Sequence, residues 1–302
     1  MFSRSSYSDF IHKSLHQEIK DFPDEWFGVN YEDVPDFSIV VYYENIPKDH
    51  VKGNNIFIVK TNDIHYFNDN AKACKVYTYE TADYIIGPYT DTIRTVYNIP
   101  PEKLACFPHS AAVEYQAPQP NETPIPKVFM YGAIDHKHYP LRNSFANKMA
   151  GSDIFVRAAH PGYESKTSTT PALLRNHMCS YSTGAFPLFE IPEENHTHYL
   201  LGKCVEIMCS GVLLLTDDIS IVGQLADLGI HDKIHYIYSE TLELNNTISY
   251  ILDPSNRPDI DTIRKSGWEK CISEHTSAFR CSQIAEWLRS IATKETHAVN
   301  LK

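Results

Sequence analysis

Short runs of apolar, β-branched and aromatic residues alternate along this chain with longer stretches whose apolar positions recur every three or four residues. In the first half, 38–43, 55–60, 75–79 and 84–86 read as strands, each bounded by Pro, Asn, Asp or Gly. Several are continuously apolar, as parallel strands covered on both faces are. Residues 91–97 read as a helix ending before Pro100-Pro101, and 103–107 as a strand closed by Pro108-His109. Residues 117–126 then carry four prolines in ten positions, a stiff extended connector. We place a domain boundary there, with an N-terminal domain over 1–120 and a C-terminal domain over 121–302.

The alternation restarts beyond it. Strand 127–131 ends at Gly132, followed by helix 141–149, strand 153–156, a short helix over 171–177 and a short strand over 179–181. Helix 200–209 carries Leu201, Cys204, Val205 and Met208 on one face, and Gly211 is its C′ residue. Strands 212–216 and 234–238 follow. Ser239 is read as the cap of a helix reaching Leu252, stopped by Asp253-Pro254, and 259–270 and 277–291 close the chain as helices. Alternation in both halves predicts an α/β protein, two Rossmann-like domains with mainly parallel sheets, facing across a cleft. Such sheets bind ligands beyond the carboxyl ends of their strands.

Composition narrows the partners. With 302 residues, 42% of them hydrophobic, the chain can fill two cores. A net charge of −11 without a long basic run argues against a nucleic-acid partner. Seven cysteines without a CxxC pair fit reduced thiols in the cytoplasm better than a disulfide framework or a zinc site. The first twenty residues lack an export-signal core, and no stretch is long and apolar enough for a transmembrane segment. The sequons at Asn121, Asn195 and Asn245 are therefore read as chance.

The sharpest chemical pattern is Lys203-x-x-Glu206 on helix 200–209, running into an apolar strand and Asp217-Asp218. Three residues apart, the two side chains share a helix face. A lysine near a helix start can neutralise a diphosphate with the help of free amides and the dipole. A carboxylate one turn later can hold a ribose diol. The plainer alternative is an exposed ion pair worth about 0.2–0.5 kcal/mol. Asp135-His136-Lys137-His138 and His196-x-His198 set imidazoles two apart but lack a third and fourth metal ligand, so no metal is expected. Walker A and GxGxxG patterns are absent, so neither a kinase nor an NAD enzyme is supported. Glu44, Asp63, His65, Glu80 and His109 stand at predicted strand ends as candidates for a general base.

The 203–218 block resembles the donor-site motif of group 1, GT-B-fold glycosyltransferases, and most of all their spore-maturation-type branch. Tyr131-Gly132 with Tyr139-Pro140-Leu141-Arg142 resembles that domain's first strand, glycine loop and helix start. His160-Pro161-Gly162-Tyr163 resembles its next loop, and Ser273-Glu274-His275-Thr276 with Arg280 its closing signature. The exostosin-type transferases are similar in a looser form. The resemblance implies that a nucleotide-sugar donor, UDP- or GDP-linked, gives its sugar to a glycan or other hydroxyl acceptor. It implies that Glu206 holds the ribose and that Lys203 and Arg142 stabilise the diphosphate leaving group. Gly132 would let the backbone approach the donor and Asp217 would contact the sugar, with His109 on the acceptor side and no cofactor required. One departure stands out. Where many group 1 enzymes carry a second carboxylate eight residues before the ribose-binding one, this chain has His198, with Glu194 nearby. That departure keeps open a non-catalytic glycan- or protein-binding module, and a phosphotransferase acting on CDP-alcohols is a third reading.

Overall fold

The computed structural model describes residues 39–299 apart from 44, 49–51, 62–68, 135–137, 159–169 and 186–198. Two sheets, each wholly parallel, organise the described chain. The first consists of β1 (Ile39–Tyr43), β2 (Ile56–Lys60), β3 (Tyr84–Gly87) and β4 (Leu104–Cys106) in that order. Helices α1 (Asp69–Thr81) and α2 (Thr90–Tyr97) lie between successive strands. Phe57, Ile58 and Val59 are all fully buried, as a strand covered on both faces requires.

The second sheet is built from β5 (Ile125–Tyr131), α3 (Pro140–Lys148), β6 (Phe155–Ala158), α4 (Thr170–Arg175) and β7 (His177–Tyr181). It continues with α5 (Gly202–Cys209), β8 (Leu213–Thr216), α6 (Ile219–Asp227) and β9 (Ile237–Tyr238), then α7 (Leu244–Leu252) and α8 (Arg257–Glu274). The spatial order is β6-β5-β7-β8-β9. Alternate residues of the strands feed two cores, as the pleat dictates. Phe129 and Leu214 join Cys204, Val205 and Met208 of α5 on one side, while Val128, Leu213 and Leu215 join Phe145, Ile248 and Ile251 on the other. The last helix, α9 (Ser277–Val299), leaves this unit.

The chain divides into a first unit, Met1–His109 with Ser277–Lys302, and a second, Ser110–Thr276. This differs from the expected 1–120 and 121–302, for two physical reasons. The proline-rich stretch is fastened along the second unit: Ala117 N donates to Cys209 O at 3.0 Å, Trp268 Nε1 donates to Ala117 O at 3.0 Å, and Arg264 Nη2 donates to Asn121 O at 3.2 Å. Helix α9 packs Cys281, Ile284, Leu288 and Ile291 onto Ile58 and Ile86 of the first sheet, with Trp287 edge-on to Tyr84 and Phe107.

Three element expectations also change. Residues 75–79, expected as a strand, lie inside α1. The run is short and β-branched, but Lys75, Thr78 and Tyr79 are its buried positions, at helical spacing. Thr78 Oγ1 accepts from Ile46 N at 3.1 Å, and Tyr79 Oη donates to Thr61 Oγ1 at 3.3 Å, so the helix is held by long-range contacts. The strand expected over 234–238 shrinks to Ile237–Tyr238, because Lys233 takes a left-handed φ of 57° and its N–H closes a turn on Tyr236 O. Ser239 does not cap α7, which starts at Leu244; its hydroxyl pairs with Thr247 Oγ1 at 2.8 Å instead. Helix α6 was not anticipated as an element, although its cap is the expected acid: Asp218 Oδ1 accepts from Ser220 N at 3.0 Å.

Candidate functional site

In the second sheet, β5 has β6 on one side and β7 on the other, so the chain order reverses at β5. The carboxyl end of a strand at such a switch point is where open parallel sheets bind ligands. Tyr131 and Gly132 lie at that end. Gly132 has φ +91°, and a Cβ there would stand 2.5 Å from Lys203 Nζ and 2.8 Å from Arg142 Nη2. A side chain at this position would be strained by the backbone and would displace both cations.

Arg142 enters from the first turn of α3, a helix opened by Pro140, whose missing N–H is no loss at that position. It is wholly buried. Nη2 donates to the Tyr131 carbonyl and the guanidinium lies over the Tyr139 ring at 4.7 Å. Nε and Nη1 have no hydrogen-bond partner among the described residues. Lys203 enters from the first turn of α5, whose N-cap residue, Leu201, supplies no side-chain cap to the free amides. Its half-buried ammonium lies 5.4 Å from the Tyr131 ring centre. Burial first, and then the Arg142 guanidinium, push Lys203 down to about 8, against the pull of Glu206. Burial likewise lowers Arg142.

The exposed ion pair weighed for Lys203 and Glu206 does not form. Glu206 is only 2% exposed, and its Oε2 accepts from Tyr131 Oη at 2.9 Å. Helix α5 is buried from Cys204 to Cys209, so Glu206 is not on a solvent face opposite the apolar stripe. Tyr115 stacks on Tyr131 with ring centres 6.3 Å apart. Burial, reinforced by Glu206, raises the Tyr115 phenol and keeps it neutral.

Thus Gly132, Arg142, Lys203 and Glu206 gather around one side chain, Tyr131. Asp217 stands just beyond β8. Its Oδ1 accepts from Tyr181 Oη and its Oδ2 from Thr241 Oγ1 at 3.1 Å, which ties three elements together. His109 belongs to the first unit, where Nε2 meets Tyr89 Oη. Burial, Lys60 and Arg280 lower His109 to about 3, so the imidazolium that a general base must become is costly there. Of the other base candidates, Glu80 is exposed on α1, and Glu44, Asp63 and His65 lie outside the described residues. So do the 160–163 loop, Glu194, His196 and His198, and His136 of the other His-rich segment. Among the described residues no cluster of three or more His, Cys, Asp or Glu could hold a metal ion, and no helix is long and apolar enough to cross a membrane.

Sequence reasoning passed over Tyr131 and Tyr181 as functional groups. Both end buried strands, and a buried phenol must find a partner for its hydroxyl. That requirement was the available signal, but the acids that meet it are 75 and 36 residues away.

No family model and no curated protein matches the chain. Solved structures do match its fold. TarM shares 13% identity at TM-score 0.54, over 92% of this chain and 57% of its own. A glycosyltransferase from Rickettsia africae shares 11% identity at TM-score 0.56, over 96% and 84%. Anabaena HepE, crystallised with UDP, shares 10% identity at TM-score 0.56, over 95% and 84%. The chain therefore spans little more than half of TarM's length and most of the other two. Its class is α/β with two Rossmann-like units, the GT-B fold.

Proposed function

We propose that this chain is a glycosyltransferase that binds a UDP- or GDP-sugar on its second unit and passes the sugar to a hydroxyl of a glycan or similar acceptor. The carrying observation is the pair of cations at the carboxyl end of β5. Arg142, with two guanidinium nitrogens lacking partners among the described residues, and Lys203, with its ammonium beside Gly132, leave positive charge uncompensated in a largely buried place. Two such charges are costly until an anion joins them. A diphosphate suits them, and the uncapped amides of α5 add donors. As the bond between sugar and diphosphate breaks, charge grows on the leaving oxygen beside Lys203 and Arg142, where preorganised cations stabilise it most. They supply the positive charge that a divalent metal otherwise brings, so the reading includes no resident metal or cofactor. Glu206 holds the ribose, and Gly132 and Asp217 complete the donor site. His109 serves as a neutral acceptor for the incoming hydroxyl rather than as a strong base.

The ordered likenesses at 131–142, 203–218 and 273–280 support the spore-maturation-type branch. The acidic chain, −11 overall, supports no nucleic-acid partner, and seven free thiols, five of them buried, support work in the cytoplasm. The test is nucleotide binding. UDP or GDP at a hundredfold excess over Kd should raise unfolding stability by about 2.7 kcal/mol, and Lys203→Ala and Glu206→Ala should each reduce that gain. Binding unchanged in both variants sinks the assignment. His198, in place of the second carboxylate, favours one other reading, a transferase-like binding module. That reading predicts no release of free nucleoside diphosphate from any donor sugar.

A further inference from the structure

Tyr131 touches every charged group of the proposed donor site, each through a different part of itself. Its hydroxyl donates to Glu206 Oε2 at 2.9 Å, its carbonyl accepts from Arg142 Nη2, and its ring lies 5.4 Å from Lys203 Nζ. The ring is itself fixed, stacked between Phe129 at 6.0 Å and Tyr115 at 6.3 Å, and the residue is only 6% exposed. A buried carboxylate keeps a defined direction only if a donor holds it, and a phenol on an immobilised ring is such a donor.

Resting on the nucleotide-sugar reading above, we propose that Tyr131 is a positioning residue for ribose recognition. Its hydroxyl occupies one oxygen of Glu206 and so turns the other toward the ribose hydroxyls of the donor. It does not touch the donor itself. The role separates it from Lys203 and Arg142, which act on the diphosphate. Tyr131→Phe deletes one oxygen and keeps the ring, the backbone carbonyl and their contacts with Lys203 and Arg142. Its effect should therefore appear only where ribose hydroxyls are present.

The experiment is calorimetry on the full chain with whichever of UDP and GDP the wild type binds more tightly, and with that nucleotide's 2′,3′-dideoxy analogue. Tyr131→Phe should weaken the natural nucleotide by about tenfold, the size of one hydrogen bond, and leave the dideoxy analogue within about twofold. Matching near-UV circular dichroism checks that the variant keeps its packing. As a second measurement, Glu206→Ala should remove the preference for ribose, and adding Tyr131→Phe to it should cost nothing more. A variant that weakens both nucleotides equally, retains the full ribose preference, or adds its loss to that of Glu206→Ala overturns the role. If the wild type binds neither UDP nor GDP, the donor-site reading itself falls and takes this role with it. If the wild type prefers the ribose form and Tyr131→Phe does too, only the role of Tyr131 falls.

Discussion

Raising the pH from 7 to 9 should discharge Lys203 and with it much of the nucleotide affinity. Burial, then Arg142, bring this lysine down to about 8 from its ordinary 10.5. At pH 7 about nine in ten molecules then carry the charge, and at pH 9 about one in ten, so a diphosphate that needs it binds about tenfold more weakly at the higher pH. The neighbours do not blur this window. Arg142 stays cationic throughout. Cys204 is pushed up to about 12 by its burial and stays a thiol. The terminal phosphate of the nucleotide loses its last proton near pH ~6, below the range. Calorimetry at pH 9 in two buffers of different ionisation heat should register nearly one proton taken up per nucleotide bound. Lys203→Arg keeps the charge and should flatten the profile. Equal affinity at pH 7 and 9, or a slope that persists in Lys203→Arg, refutes the reasoning. The sign for folding is the reverse. The folded value lies below the unfolded one, so the penalty is full below about pH 8 and the chain gains stability as the pH rises from 8 to 10.5.

Gly132→Ala should cost about 1–2 kcal/mol in urea unfolding from its φ of +91° and should also weaken UDP binding, because the new Cβ displaces the Lys203 and Arg142 termini; unchanged affinity would separate Gly132 from the site. Arg264→Met strips donors from the carbonyls of Gly211 and Asn121, at 2.9 and 3.2 Å, and should cost about 2–4 kcal/mol while sparing nucleotide affinity of the folded chain; an unchanged urea midpoint counts against the fastening of the proline-rich segment. His109, lowered to about 3, should show flat imidazole carbon shifts by NMR between pH 5 and 8, and its share of stability should fall as the pH drops from 6.5 toward 3, where only the unfolded chain takes up the proton.

Periodicity located most of the elements because it reports local burial, and local burial sets both the two-residue pattern of strands and the helical pattern. It misread 75–79 because Val76-Tyr77-Thr78-Tyr79 is apolar enough for either structure. What decided the case was the bonds of Thr78 to Ile46 and Tyr79 to Thr61, which a local window cannot contain. Proline content misplaced the domain boundary for a related reason. A proline-rich segment is extended by its own chemistry, but whether it swings free or is strapped down depends on distant donors, here Trp268 and Arg264.

The candidate site divides along the same line. Lys203-x-x-Glu206 was visible because its two members are near in sequence, yet their local relation, an i,i+3 pair, is not the one the fold uses. Each instead turns toward the end of β5, Glu206 to a phenol 75 residues back and Lys203 to a glycine that leaves it room. A strand that ends in Tyr-Gly gives one residue whose hydroxyl needs a buried acceptor and one whose missing side chain admits two cations. Those two needs explain the placement of Arg142, Lys203 and Glu206 together, which no spacing rule within α5 could have done.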